Sequence, residues 1–146
     1  VGASAAGLTA VVAEDVWAAL WTKFLTLASF GAVGTVTDAP YSVLRSRPGT
    51  RQLIEDCMRE IQALAAARNV SLPADVIETR MAFLDGVPAT GTTSLQRDIL
   101  AGRPSELDAW AGAVVRIAQE TGTPTPIHDL LYELVTARIA ARSQEG

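Results

Sequence analysis

The chain has 146 residues, 49% of them hydrophobic and 19% charged, with a formal net charge of -4. That is a globular composition of single-domain size, large enough to bury a core without disulfides, and it excludes a disordered chain. The basic residues are scattered with no run longer than two, so no nucleic-acid footprint is visible. The one cysteine, Cys57, has no intrachain partner and fits a reducing compartment.

The first residues, Val1-Gly-Ala-Ser-Ala-Ala-Gly7, lack a basic stretch and do not read as a signal peptide. With no initiator Met, the chain reads as a fragment or a processed chain. Val12, Val16, Leu20, Lys23 and Leu27 recur at three- and four-residue steps, which predicts one helical face. The uncharged run Phe24–Thr37 is too short to span a membrane and contains two glycines, so no membrane segment is expected. The glycine pair in Gly31-Ala-Val-Gly34 lacks a flanking strand and a third glycine, and is rejected as a nucleotide site. Positions 34 to 46 are ambiguous, read here as helix with a break near Pro40.

A helix is predicted from Gly49 to Asn69, with Leu53, Met58, Ile61 and Leu64 inward and Glu55/Arg59 as an i,i+4 pair outside. Pro73 suits the first turn of a helix ending near Leu84. Asp85–Thr93 is rich in turn formers and reads as a loop. A short helix follows from Ser94, as its N-cap, to Gly102. Ser105 can cap a helix that runs to Thr121 and stops at Gly122. Thr125-Pro126 opens the last helix, with Leu130, Leu131, Leu134, Val135 and Ile139 as its apolar face. The expected fold is all-α, about seven helices with short connections.

Few residues suggest chemistry. Lys23 lies on an apolar stripe, so it either snorkels to water or sits beside a cleft; partly desolvated, it would suit a proton donor. Glu106 falls in the first turn of a helix, where a carboxylate is favoured by the macrodipole with or without a ligand. Ser94 and Asp98 share a helical face. Ser94 is either a cap or a carboxylate-binding hydroxyl, and Asp98 can pair with Arg103 or Arg97. His128, the only histidine, reads as a surface or capping residue. Trp17, Trp21 and Trp110 read as core or interface residues. No His/Cys/carboxylate spacing suggests a metal.

The stretch Ser94-Leu-Gln-Arg-Asp98, Gly102-Arg103, Glu106-Leu-Asp108, preceded by Asp15 to Lys23, Glu60 and the segment ending in Leu72-Pro73, and followed by Gly112 and Gly122-Thr-Pro-Thr-Pro126, resembles the C-terminal domain of the ketopantoate reductase family (2-dehydropantoate 2-reductases). The resemblance covers about Gly7 to Ala140. It implies an all-α domain similar to the C-terminal domain of 6-phosphogluconate dehydrogenase, which binds substrate and dimerises. It further implies an NADPH-binding Rossmann domain that lies outside this chain, so the chain alone is expected to be inactive. The implied reaction is reduction of 2-dehydropantoate to (R)-pantoate, toward pantothenate and coenzyme A. The catalytic lysine would be Lys23 and the glutamate Glu106, with Ser94 and Asp98 as substrate-binding candidates. The family's asparagines four and eight residues after the lysine are here Leu27 and Gly31, which opens the reading of a paralogous reductase of another 2-oxo acid. The alternative from another class is a non-catalytic helical dimerisation module, in which Lys23, Ser94 and Glu106 do not converge.

Overall fold

In a computed structural model, the structure describes the backbone of residues 2–103 and 108–145, and the side chains of residues 16–103 and 109–145. The described residues form helices α1 (Gly2–Thr37), α2 (Tyr41–Ser46), α3 (Pro48–Ala67), α4 (Val76–Gly86), α5 (Ser94–Leu100), α6 (Ala113–Thr121) and α7 (Pro126–Glu145), with a π-helical turn at Asp108–Gly112 leading into α6. The all-α expectation holds, with seven α-helices among the described residues.

The axis of the fold is α1, 36 residues in one helix, about 54 Å at the usual rise per residue. It packs against α3, α5 and α7. Its buried face is Phe24, Leu25, Ala28, Phe30, Ala32 and Val33. The stripe read from periodicity is the opposite one: Val16 and Leu20 are half exposed and Lys23 is exposed, while the side chain of Val12 lies outside the described residues. The first half of α1 is apolar on several faces, so spacing alone could not choose the inner one. Val16–Thr37 is long and apolar enough to cross a membrane, longer than the run read from sequence, and half of its most apolar window is buried inside the fold.

The second layer is α3. Ile54, Cys57, Met58, Ile61 and Leu64 have no exposed surface, and Leu25, Val33, Leu84 and Val114 join them in one core. The expected pair forms outside, Arg59 to Glu55 at 3.5 Å, and Arg59 lies closer still to Asp56, at 2.6 Å. Burial, then the negative Glu60 and Asp56 nearby, push the Cys57 thiol far above its usual value, so it is an inert core residue. The turn after α1 has Asp38 at φ 52° and Pro40 before α2, matching the expected break. Pro73 does not start α4. Its carbonyl accepts from the N–H of Val76 in a turn before the helix. Arg45 closes the far end of α4 by donating to the carbonyls of Leu84 (3.1 Å), Asp85 (3.3 Å) and Val87 (2.8 Å), groups the helix cannot satisfy itself.

Two long-range contacts set the rest. The first is the crossing of α5 over α1 at Gly31 and Gly34. A Cβ on Gly31 would stand 2.8 Å from the Cδ2 of Leu95, and one on Gly34 would meet the amide oxygen of Gln96. The glycine pair therefore serves helix packing. The second joins α3 to α7. The Glu60 carboxylate accepts from the N–H groups of Ile127 and His128, each at 2.9 Å, and from the His128 ring Nδ1 at 2.8 Å. His128 is 2% exposed, which corrects the surface reading: it is a core histidine beside a carboxylate that caps its helix. On α7, Leu131 and Val135 point inward, whereas Leu130 and Leu134 are exposed.

Burial alone would raise the carboxyl of Glu60, but the hydrogen bonds from His128 and Ile127 outweigh it and hold the group below its ordinary value. A depressed folded value means that this stabilisation is complete above the unfolded carboxyl value and is lost as pH falls through the folded one. Glu60→Ala should lower stability by roughly 3 kcal/mol at neutral pH, measured by urea unfolding, and should flatten the acid limb of the stability profile. An acid limb identical to that of the parent would contradict this clamp. Gly31→Asn should cost roughly 1–3 kcal/mol by overpacking against Leu95, with part of the loss recovered in the double variant Gly31→Asn/Leu95→Ala. An unchanged urea midpoint in the single variant would show that α5 does not seat there.

Candidate functional site

The open face of α1 forms one wall of a groove of about 530 Å³, lined by Ala18, Ala19, Thr22, Lys23, Thr26 and Leu27. Pro73, with Arg80 and Phe83 from α4, completes the lining. The hydroxyl of Thr22 donates to the carbonyl of Ala18 at 2.8 Å and that of Thr26 to the carbonyl of Thr22 at 2.9 Å. Both therefore turn their hydrogens to the helix and keep oxygen lone pairs free. Lys23 is exposed and makes no hydrogen bond or ion pair with the described residues.

Arg80 is half-buried, its guanidinium 5.3 Å from the centre of the Phe83 ring, a cation–π arrangement. Its Nε is shielded from solvent and has no hydrogen-bond partner. The lining thus holds two cations and no acid, on a chain whose formal charge is -4. Chemically the groove can attract an anion, and its ammonium can hydrogen-bond or protonate a carbonyl oxygen.

The other sequence-derived candidates lie elsewhere. Thr93, not Ser94, caps α5, its hydroxyl accepting from the N–H of Gln96 at 3.1 Å. Ser94 is the exposed first residue of α5. Asp98 pairs with Arg103 at 3.1 Å, one of the two partners expected, while Arg97 donates to the Thr92 carbonyl. Because α5 docks at Gly31 and Gly34, it meets α1 about 12–16 Å beyond Lys23 along the helix. Neither Ser94 nor Asp98 lines the Lys23 groove. Glu106 and Ser105 lie outside the described residues.

Leu27 faces into the groove, so an apolar side chain stands where the resemblance expects an asparagine, and at Gly31 that space is taken by Leu95. Trp21 packs edge-on against Phe24, which stacks with Trp110, so these two tryptophans border the core, whereas Trp17 is 57% exposed. Arg80 and Phe83 were missed by the sequence reading. Their signal was a cation and an aromatic three residues apart on a helix. Among the described residues there is no strand, hence no strand–turn–helix cradle for a dinucleotide, and no cluster of three metal-binding side chains.

Residues 15–139 match the profile of the family described as Ketopantoate reductase PanE/ApbA C terminal. A 2-dehydropantoate 2-reductase from Mesorhizobium japonicum is 32% identical over 130 residues, covering 89% of this chain and 39% of the relative. Among solved structures, a PanE/ApbA family ketopantoate reductase from Ralstonia eutropha JMP134 superposes with a TM-score of 0.78 at 30% identity, over 86% of this chain and 42% of the other. A dimeric ketopantoate reductase from Staphylococcus aureus, at 24% identity, shares the fold with a TM-score of 0.78 over 84% of this chain and 43% of its own. The chain thus spans about two fifths of the length of the relatives it matches and belongs to the ketopantoate reductase family, in its PanE/ApbA C-terminal part.

Proposed function

We propose that this chain is the substrate-binding and dimerisation domain of an NADPH-dependent reductase of 2-oxo acids, with 2-dehydropantoate as the first candidate substrate and (R)-pantoate as product. The observation that carries the reading is Lys23, unpaired in an open groove whose lining holds no carboxylate. Exposed and unpaired among the described residues, its ammonium is free to meet a ligand. Hydride arriving at a ketone builds negative charge on its oxygen, and the Lys23 ammonium hydrogen-bonds that oxygen and delivers the proton. The nicotinamide that supplies hydride would be held by polypeptide outside this chain, because the described residues offer it no cradle.

Ser94 and Asp98 are assigned to substrate binding and Glu106 to contact with the substrate or the lysine. These assignments rest on the family resemblance of the Ser94–Asp108 stretch. The protein would act in the cytoplasm, pairing through the exposed apolar residues Val16, Trp17 and Leu20 of α1 or Leu130 and Leu134 of α7. Leu27 in the groove favours a second reading within the same chemistry: a paralogous reductase acting on a 2-oxo acid less polar than 2-dehydropantoate.

The test is NADPH oxidation by the full-length polypeptide with 2-dehydropantoate beside a panel of 2-oxo acids. Turnover of 2-dehydropantoate supports the first reading and turnover of another acid alone the second. No turnover of any would favour a non-catalytic helical module. In the active protein, Lys23→Ala should lower kcat about 10²–10⁴-fold while shifting stability by no more than about 0.5 kcal/mol, since the side chain is exposed. An unchanged kcat removes Lys23 from the mechanism. Glu106→Ala should chiefly raise KM; unaltered KM and kcat would remove that residue as well.

A further inference from the structure

We propose that the open face of α7 docks against the same face of a second copy of this chain, the two helices running antiparallel. The inference rests on the proposed reading as a dimerisation domain and deepens it by naming the face and its direction.

Leu130, Leu134, Ala137 and Ala141 are all exposed. Their steps of four, three and four residues place them in one stripe, the spacing of a helix-pairing seam, about 16 Å long. On another side of the helix, Leu131 and Val135 enter the core. The stripe is large at one end and small at the other. Two copies laid parallel would set leucine on leucine and alanine on alanine. Laid antiparallel, with a two-fold axis between Leu134 and Ala137, they set each leucine on an alanine. Leu134 then faces Ala137 of the second copy, and Leu130 faces its Ala141. Large against small fills the space between helices evenly. One surface serves both copies, as a two-fold pair requires.

Charge points the same way. The first half of α7 carries Asp129 and Glu133, and the second half carries Arg138 and Arg142, all exposed. Among the described residues, none of the four forms an ion pair. Arg138 donates instead to the carbonyls of Thr35 at 3.1 Å and Val36 at 3.3 Å. Antiparallel pairing sets the acidic half of each helix beside the basic half of the other, close enough for attraction through physiological salt. Parallel pairing sets like beside like. The helix dipoles add to the same preference. Glu145, the opposing charge in the second half, lies one turn beyond Ala141. The other exposed apolar group is Val16, Trp17 and Leu20 on α1. It has no charged residue from Val16 to Thr22, so nothing within it sets a direction of pairing.

The experiment uses the full-length polypeptide. Sedimentation velocity is run on the parent and on Leu134→Glu, with melting curves to show that the variant folds. The dissociation constant of the pair should rise at least tenfold in the variant. Direction is read from Leu130→Cys and Ala141→Cys, each treated with a short bis-maleimide alone and after mixing and subunit exchange. The mixture should give a covalent dimer and neither protein alone should, because like positions at the ends of an antiparallel seam stand about 16 Å apart. Cys57 is fully buried, with its thiol pushed far up, and the treated parent sets the background from every other cysteine. Linking of each variant alone overturns the proposal. So does a parent dimer that Leu134→Glu leaves intact, which would keep the dimerisation reading and move it to another face. A monomeric parent overturns both. Pairing through α7 in a protein that reduces no 2-oxo acid keeps the inference and refutes the reductase reading; an active monomer does the reverse.

Discussion

The fold hangs on one carboxylate. Glu60, projecting from the middle of α3, closes the start of α7 by accepting two backbone N–H groups and the His128 ring. The first turn of a helix has donors that nothing inside the helix can meet, and at the start of α7 Thr125 and His128 are buried, each 2% exposed, while Pro126 and Asp129 face solvent. A charge is well suited to this position because it answers the donors and the helix dipole together. With α7 pinned there, Leu131 and Val135 reach the core and α7 lies along α1, so the one contact ties three of the longest elements.

The α1–α5 crossing is a constraint of another kind, set by missing atoms. Gly31 and Gly34 sit inside a helix, where glycine costs about 1 kcal/mol relative to alanine. Their position is explained by Leu95 and Gln96, which occupy the space their side chains would need. The amide of Gln96 reaches over to the carbonyl of Ala39 at 3.2 Å, tying α5 to the turn after α1. Ser94 starts the helix seated there and is not among the residues lining the Lys23 groove.

How much of this the sequence revealed depended on contrast. In α3, apolar and charged residues alternate sharply around the helix, and Met58, Ile61 and Leu64 are all fully buried as read. In α1, alanines and large apolar residues occur on several faces, so its period is helical but its inward side is decided by neighbours far along the chain, and the stripe chosen by spacing is the open one. Glu60 and His128 are 68 residues apart; each residue was visible, but their contact is a product of the tertiary arrangement. The π-helical turn at Asp108–Gly112 reads as ordinary helix, because one extra residue in a turn leaves almost no mark on local propensity. The site followed the same rule. Lys23 stood out against an apolar stripe, whereas Arg80, between Thr79 and Met81 on a short helix, looked like any solvated arginine.

Electrostatics separate the supporting residues from the candidate site. A cation in a folded protein is cheap to keep when it meets water or a carboxylate. Arg47 and Arg142 are exposed, and Arg59, Arg68 and Arg103 face acids. Arg80 has neither full exposure nor an acid, and the cation sharing its groove is Lys23. None of the residues lining that groove belongs to the Glu60 clamp, so the open face of α1 and the contact that pins α7 are separate parts of the fold.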